Sequence, residues 1–240
     1  MEYVMEDKFL DINEFDNFCN EILYIRRYIH TKAVNEFIYK YRININNNYI
    51  ILSKGNKYFR AQVGCNEYEK NGKKHREPFQ EQRMYPLKKE AKEGRLNPKG
   101  ISYLYLTEMV ENALWEVDAK YKSYVTIAQF KLCNDIKVVY FYNFIELFEA
   151  ALLSDKNKNT NLTVWNKINL AFSKPVKNTD STAEYIPTQI LAEIIKDEGF
   201  DGILYVNEKK LCYNLCLFNV DNAKYIYSYK RYIRSRYFEN

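Results

Sequence analysis

Apolar and polar positions change period several times along the chain, and each change marks an element. Over Asp11 to Lys40, Phe15, Phe18, Cys19, Ile22 and Leu23 recur at helical spacing with charges between them. That pattern predicts a helical lead-in, with a second helix over Ala33 to Tyr41. Asn46–Asn48 reads as a polar break. Tyr49 to Ser53 and Tyr58 to Val63 then read as strands joined by a turn at Gly55. Asn66 to Lys99 has many charges and few apolar residues. It is expected to be a long loop, either folded over a ligand or a solvated insertion.

Further on, Tyr124 to Tyr142 is rich in β-branched and aromatic residues and predicts two strands, with Asn134–Asp135 as the turn. Phe144 to Leu153 and Val164 to Phe172 read as helices separated by the polar loop Asp155–Thr160. Pro187 to Glu198 is a punctuated helix. Proline suits its first turn, Ile190, Leu191, Ile194 and Ile195 share a face, and Gly199 ends it. Phe200 to Val206 and Leu211 to Phe218 read as strands around the polar turn Asn207–Lys210. The tail from Ala223 to Arg236 alternates aromatic and basic residues. Such a tail is either an edge strand with a solvated basic side or a surface that meets nucleic acid by charge and stacking.

The stretch between these halves carries the candidate chemistry. Gly94–Val117 reads GRLNPKGISYLYLTEMVENALWEV. A basic loop punctuated by Gly and Pro runs into a short apolar strand, Ile101 to Leu106, and Thr107 is expected to cap the helix that follows. On a wheel of about 100° per residue, Val110, Ala113, Leu114 and Val117 fall on one apolar arc, and Glu116 lies roughly 20° outside it. Glu108 and Glu111 point elsewhere, so Glu116 is the glutamate placed to look inward. A half-buried carboxylate needs either an ion-pair partner or a job. Arg60, between Phe59 and Ala61 in an apolar strand, poses the same choice. It is a core salt bridge or edge residue, or it faces an anion at a pocket floor.

Composition narrows the classes. The chain has 240 residues, 47% of them hydrophobic, enough for a sizeable core and one domain with a small extension. A net charge of +5 favours anionic ligands but falls short of a nucleic-acid binder's basicity, so no nucleic-acid partner is expected. Five irregularly spaced cysteines and no signal-like segment predict a reduced cytoplasmic home. No apolar run approaches the ~18–20 residues of a membrane span. With two histidines, and Cys212 and Cys216 read as core thiols on one strand face, no metal site is expected.

The string Arg95-x-Asn97-Pro98-x-Gly100, then Tyr-Leu-Tyr-Leu and Glu-x-Ala-Leu-x-Glu-Val, resembles the RES domain family. Phe59-Arg60-Ala61 resembles its opening motif. Tyr185-Ile186-Pro187-Thr188-Gln189 with Gly199-Phe200-Asp201-Gly202-Ile203 resembles its late helix–strand pair, and Asn214-Leu215-Cys216-Leu217-Phe218 its closing strand. The likeness spans about Tyr49 to Asn219, and the N-terminal helices resemble a module often fused ahead of such domains.

The resemblance implies an α+β fold similar to ADP-ribosyltransferases. Its sheet would be mixed and mainly antiparallel with flanking helices, divided as a helical segment over 1–48 and a catalytic domain over 49–240. It implies a toxin of a toxin–antitoxin pair that destroys NAD by hydrolysis or phosphorolysis of the nicotinamide–ribose bond. NAD would be the substrate, no further cofactor would be needed, and an antitoxin protein would be the partner. By carry-over, Glu116 would be catalytic, Arg60 and Arg95 would be basic pocket residues, and Tyr105 would stack on NAD. Asn207 stands where the family usually has serine, Gln62 where a second arginine is common, and Asp118 where another is frequent. Two rival readings share the pocket: an ADP-ribosyltransferase acting on a protein or nucleic acid, and an NAD-binding protein weakened in catalysis.

Overall fold

The computed structural model describes residues 8–9, 11–87, 91–141, 156–173, 182–207 and 212–234. The chain opens with α1 (Glu14–Asn20), a π-helical turn (Glu21–Ile25) and α2 (Lys32–Asn47). Next come β1 (Tyr49–Leu52), β2 (Lys57–Val63), β3 (Asn66–Lys70), β4 (Lys73–Glu77) and the short α3 (Glu81–Met84). β5 (Leu104–Thr107), α4 (Val110–Glu116), β6 (Tyr124–Leu132) and β7 (Ile136–Tyr140) follow. The chain continues through α5 (Lys156–Ser173), α6 (Ile186–Asp197), β8 (Gly202–Asn207), β9 (Cys212–Leu217) and β10 (Ala223–Tyr232). Eight strands pair in the order β1-β7-β8-β9-β5-β2-β6-β10. The β7–β8 pairing is parallel and the others are antiparallel, so the expected α+β class with a mainly antiparallel sheet is what forms.

The turns expected at Gly55 and Asn134–Asp135 are present, but neither closes a hairpin. β1 pairs with β7, and β2 pairs with β6. The two turns lie side by side. Gly55 N donates to the Leu132 carbonyl at 3.0 Å, Leu132 N to the Asn56 carbonyl at 2.9 Å, and Lys54 N to the Asp135 carboxylate at 2.7 Å. One long ladder therefore bends at this corner, and the two arms of the sheet share a core of Tyr58, Phe130, Leu204, Leu215 and Leu217. Local sequence marks a turn, but the partner of each strand is chosen by long-range packing.

The other side of the sheet is covered by helices. Phe18, Phe37 and Tyr41 from the N-terminal helices pack in one core with Phe141, Trp165, Ile195 and Ile203. Thr31 caps α2 at Val34 N, and Glu21 accepts from both the Thr31 amide and hydroxyl. Lys40 is buried on α2 and paired with Glu14 at 3.1 Å. Arg42 reaches Asp197 and Glu198 at the end of α6, tying the lead-in to the rest.

Three local expectations change. Asn66 to Lys99 is not one loop. β3 and β4 form a hairpin whose turn residues, Asn71 (φ 55°) and Gly72 (φ 70°), have the left-handed backbone of a type I′ turn. Every β3 side chain and most of β4 are exposed, so no apolar alternation announces the hairpin. α2 runs through the expected break to Asn47, because the Asn44 and Asn46 amides bond carbonyls one turn back. Lys156–Thr160, expected as loop, lies within α5. The expected helix Phe144 to Leu153, residues 208–210 of the expected polar turn, and the last two residues of the tail, Ser235 and Arg236, lie outside the described residues.

Candidate active site

The site forms where the sheet is least zipped. β5 pairs fully with β9, placing Tyr105 opposite Cys216 and Thr107 opposite Asn214, and β8 places Tyr205 opposite Asn214. Directly paired residues share a face, so these side chains come together. On its other edge β5 meets β2 at a single register position, Phe59 opposite Thr107. Beside that joint lies a cavity of about 220 Å³, lined by Arg60, Tyr105, Thr107, Glu116, Tyr205 and Asn214 among others. A larger cleft of about 1050 Å³ shares Arg60, Tyr105 and Glu116 with it and adds Arg83, Lys92 and Tyr103.

Glu116 ends α4 and is the carboxylate lining the inner cavity among the described residues. Its side chain is 33% exposed. Asn214 Nδ2 donates to Oε1 at 2.9 Å, and Arg95 Nη2 lies 3.7 Å from Oε2. The helix does not start at a Thr107 cap. Thr107 is the last residue of β5, and Met109 in extended backbone precedes the helix without a side-chain cap. The Thr107 hydroxyl serves the site instead: it donates to the Tyr213 carbonyl at 3.0 Å and accepts from Asn112 Nδ2 at 2.6 Å.

Arg95 stands behind the carboxylate. Its Nη1 donates to the carbonyls of Phe172 and Ser173, at 3.2 and 3.1 Å, at the end of α5 where helical carbonyls lack intrahelical partners. It lines neither cavity. The loop carrying it is fastened to α6: Thr188 donates to the Arg95 carbonyl at 2.6 Å, and Gln189 to the Gly94 carbonyl at 2.9 Å. Asn97 braces the loop from within, donating to the Lys92, Pro98 and Ile101 carbonyls while its Oδ1 accepts from the Tyr105 hydroxyl at 2.7 Å. Tyr105 also accepts from Leu96 N, so its ring is held against both cavities.

Arg60 reaches the Tyr105 carbonyl at 3.5 Å, its Nε is buried without a partner, and no carboxylate pairs with it among the described residues. Burial pushes its guanidinium down to about 10, and neighbouring Arg83 acts in the same direction. Arg83 itself rests on the Phe79 ring at 5.4 Å. Burial also pushes the phenols of Tyr105 and Tyr205 well above their ordinary value, so both stay neutral near pH 7. Asn207 ends β8 opposite Cys212, and its side chain lies outside the described residues.

A model of the RES domain matches residues 70–234. The chain belongs to the RES domain family. Arg95, Tyr105, Glu116 and Asn207 fall within the matched RES domain, and Arg60 lies ahead of it on β2. None of the curated proteins matches the chain. A chain of the crystal structure of the M. tuberculosis MbcT–MbcA toxin–antitoxin complex is similar at 10% identity with a TM-score of 0.46. That likeness covers 81% of this RES domain chain and 96% of the other.

Sequence reasoning missed Asn112, Asn214, Tyr205 and Arg83. Asn214 had a readable signal, a carboxamide inside the apolar run Leu211 to Phe218. Asn112 and Arg83 had none, because only the fold brings Asn112 behind Thr107 and Asn214 and Arg83 to the outer cleft.

Proposed function

We propose that this RES domain chain is an intracellular toxin that degrades NAD by cleaving its nicotinamide–ribose bond, by hydrolysis or phosphorolysis. The observation that carries the reading is Glu116, a carboxylate held by an amide and an arginine at the wall of a cavity otherwise lined by neutral groups and Arg60. In this reading the bond from ribose C1′ to the pyridinium nitrogen breaks, and its electron pair leaves with nicotinamide, which becomes neutral. Positive charge gathers on the ribose. A preorganised carboxylate beside that centre stabilises it most where water is sparse. Water then adds to C1′ and releases a proton, giving ADP-ribose; phosphate would give its phosphorylated form. The leaving group needs no proton, so the neutral tyrosines are no obstacle. Tyr105 offers a ring for stacking, and Arg60 and Arg83 offer cations to the diphosphate across the outer cleft. Arg95 acts through Glu116. The cytoplasm and an antitoxin protein belong to the same reading, and no helix among the described residues is long and apolar enough to cross a membrane.

Incubating the purified chain with NAD, with and without phosphate and with candidate macromolecules, tests this. Free nicotinamide with ADP-ribose or its phosphorylated form is the expected result. Label on a macromolecule would identify a transferase, and binding without turnover would sink the catalytic reading.

A further inference from the structure

We propose that Asn214 is a positioning residue that sets the orientation of Glu116, as the last amide of a hydrogen-bond chain whose direction one backbone carbonyl fixes. The proposal rests on the reading of Glu116 as the catalytic carboxylate. The chain begins at the Tyr213 carbonyl, which can only accept. The Thr107 hydroxyl therefore donates to it, at 3.0 Å, and has only lone pairs left to offer. Asn112 must then turn its NH₂ toward Thr107, at 2.6 Å, and the same nitrogen donates to Asn214 Oδ1 at 2.7 Å. With its oxygen occupied, Asn214 presents its NH₂ to Glu116 Oε1 at 2.9 Å.

Neither amide can flip without placing two acceptors or two donors face to face. Thr107, Asn112 and Asn214 are 2%, 1% and 3% exposed, so water cannot easily repair such a mismatch. The chain ends on a group that must accept, which is what an ionised carboxylate does. It also spans three elements: β5, α4 and β9. Glu116 at the end of α4 is thereby locked to β9, where Asn214 lies opposite Tyr205 of β8. Arg95 Nη2 faces the other oxygen, Oε2, at 3.7 Å. The remaining titratable groups facing this corner are Tyr105 from β5, Tyr205 from β8 and Arg60 from β2, with Cys216 beneath them on β9.

Asn214→Asp keeps the shape and reverses the last link. Asp can still accept from Asn112, but its other oxygen then faces Glu116, and two carboxylates at that distance repel or share a proton. The variant is expected to hold KM for NAD within about threefold while kcat falls on the order of 10²-fold, the effect of a misplaced reacting group. Its Tm should fall below the parent's by about 5 °C at pH 8 and by much less at pH 5, where the pair shares a proton. The double variant Glu116→Gln/Asn214→Asp restores a donor facing an acceptor and should recover most of that Tm, although not turnover. A double variant no more stable than the two single losses combined would overturn the proposal, as would Asn214→Asp with the parent's kcat. Should Asn214→Asp not fold, Thr107→Val removes the anchor at constant volume. It should lower kcat about tenfold with KM unchanged, and unchanged kcat would overturn the proposal. A parent chain that leaves NAD intact would end the proposed function alone, since the stability cycle needs no turnover to read the Asn214–Glu116 link.

Discussion

Replacing Arg95 separates two jobs that sequence alone cannot distinguish. If it grips the ligand, its loss raises KM. If it holds Glu116, its loss lowers kcat and also loosens the fold. The structure favours the second, because both Nη1 bonds go to the α5 carbonyls of Phe172 and Ser173 and Nη2 faces Glu116. In Arg95→Met those two part-buried carbonyls lose a charged donor. Hydrogen bonds to charged groups contribute about 1.5 kcal/mol each at the lower end, so about 3 kcal/mol is at stake. The Glu116 pair adds little, since at 3.7 Å and with the carboxylate a third exposed it is largely solvent-screened. For a chain of this length about 3 kcal/mol corresponds to a Tm lower by about 6–12 °C. Arg95→Lys should recover part of this, because one ammonium cannot serve three acceptors spread around a planar fork. Calorimetry and steady-state kinetics on NAD decide. Expected are the Tm loss and a kcat loss of at least about tenfold with KM little changed. A Tm within about 2 °C of the parent (a change of about 1 kcal/mol or less), or a roughly tenfold rise in KM (about 1.4 kcal/mol of binding) with kcat intact, would refute the assignment.

Glu116→Gln should keep the fold and NAD binding but lower turnover by about 10²-fold or more, the scale of losing one preorganised charge-stabilising group; a nicotinamide-release assay checks it. Arg60→Ala and Arg83→Ala should each raise KM for NAD about tenfold while leaving kcat within about threefold, and neither should affect binding of nicotinamide riboside, which lacks the diphosphate. Titration calorimetry with both ligands reads the difference. Gly94→Ala would set a Cβ 2.8 Å from Asn97 Oδ1 and 3.0 Å from the Tyr105 hydroxyl, two atoms already bonded to each other. Overpacking there should cost about 1–3 kcal/mol of stability by denaturant melts and displace the Tyr105 ring, so binding should weaken too.

What the sequence made legible was local. The late helix showed its proline, its apolar face and its glycine, and α6 occupies Ile186–Asp197 with Gly199 at φ 84°. Glu116 was legible because a helical wheel is a local calculation. The hairpin β3–β4 escaped because both its faces are wet, leaving Asn71–Gly72 as its only signal. Strand partners escaped for a different reason: β1 and β2 are adjacent in sequence yet sit five places apart in the sheet. Arg95 was read as a pocket cation because its family motif supplied a role without a direction, and direction depends on where α5 ends. Asn112 illustrates the limit most plainly. Its Nδ2 meets Thr107, five residues back, and Asn214, 102 residues ahead, a meeting that no window along the chain contains.

The same topology explains why the site is where it is. A sheet zipped along its whole length would leave no room between β2 and β5 for a ligand. Here β5 spends its hydrogen bonds on β9 and meets β2 at one position, so the two strands separate beside Phe59 and Thr107. An opening in a sheet strands polar groups unless something else satisfies them. Around the β5–β9 pair the polar side chains satisfy one another, from the Tyr213 carbonyl through Thr107, Asn112 and Asn214 to Glu116. On the β2 side the satisfaction is incomplete: Arg60 makes one long bond to Tyr105 and keeps a buried Nε without a partner. One wall is therefore finished and ends in the Glu116 carboxylate, while the other is left with a buried cation that an anion would suit. In the proposed reading, a ligand bearing both a cationic ring and a diphosphate, as NAD does, would meet both conditions at once.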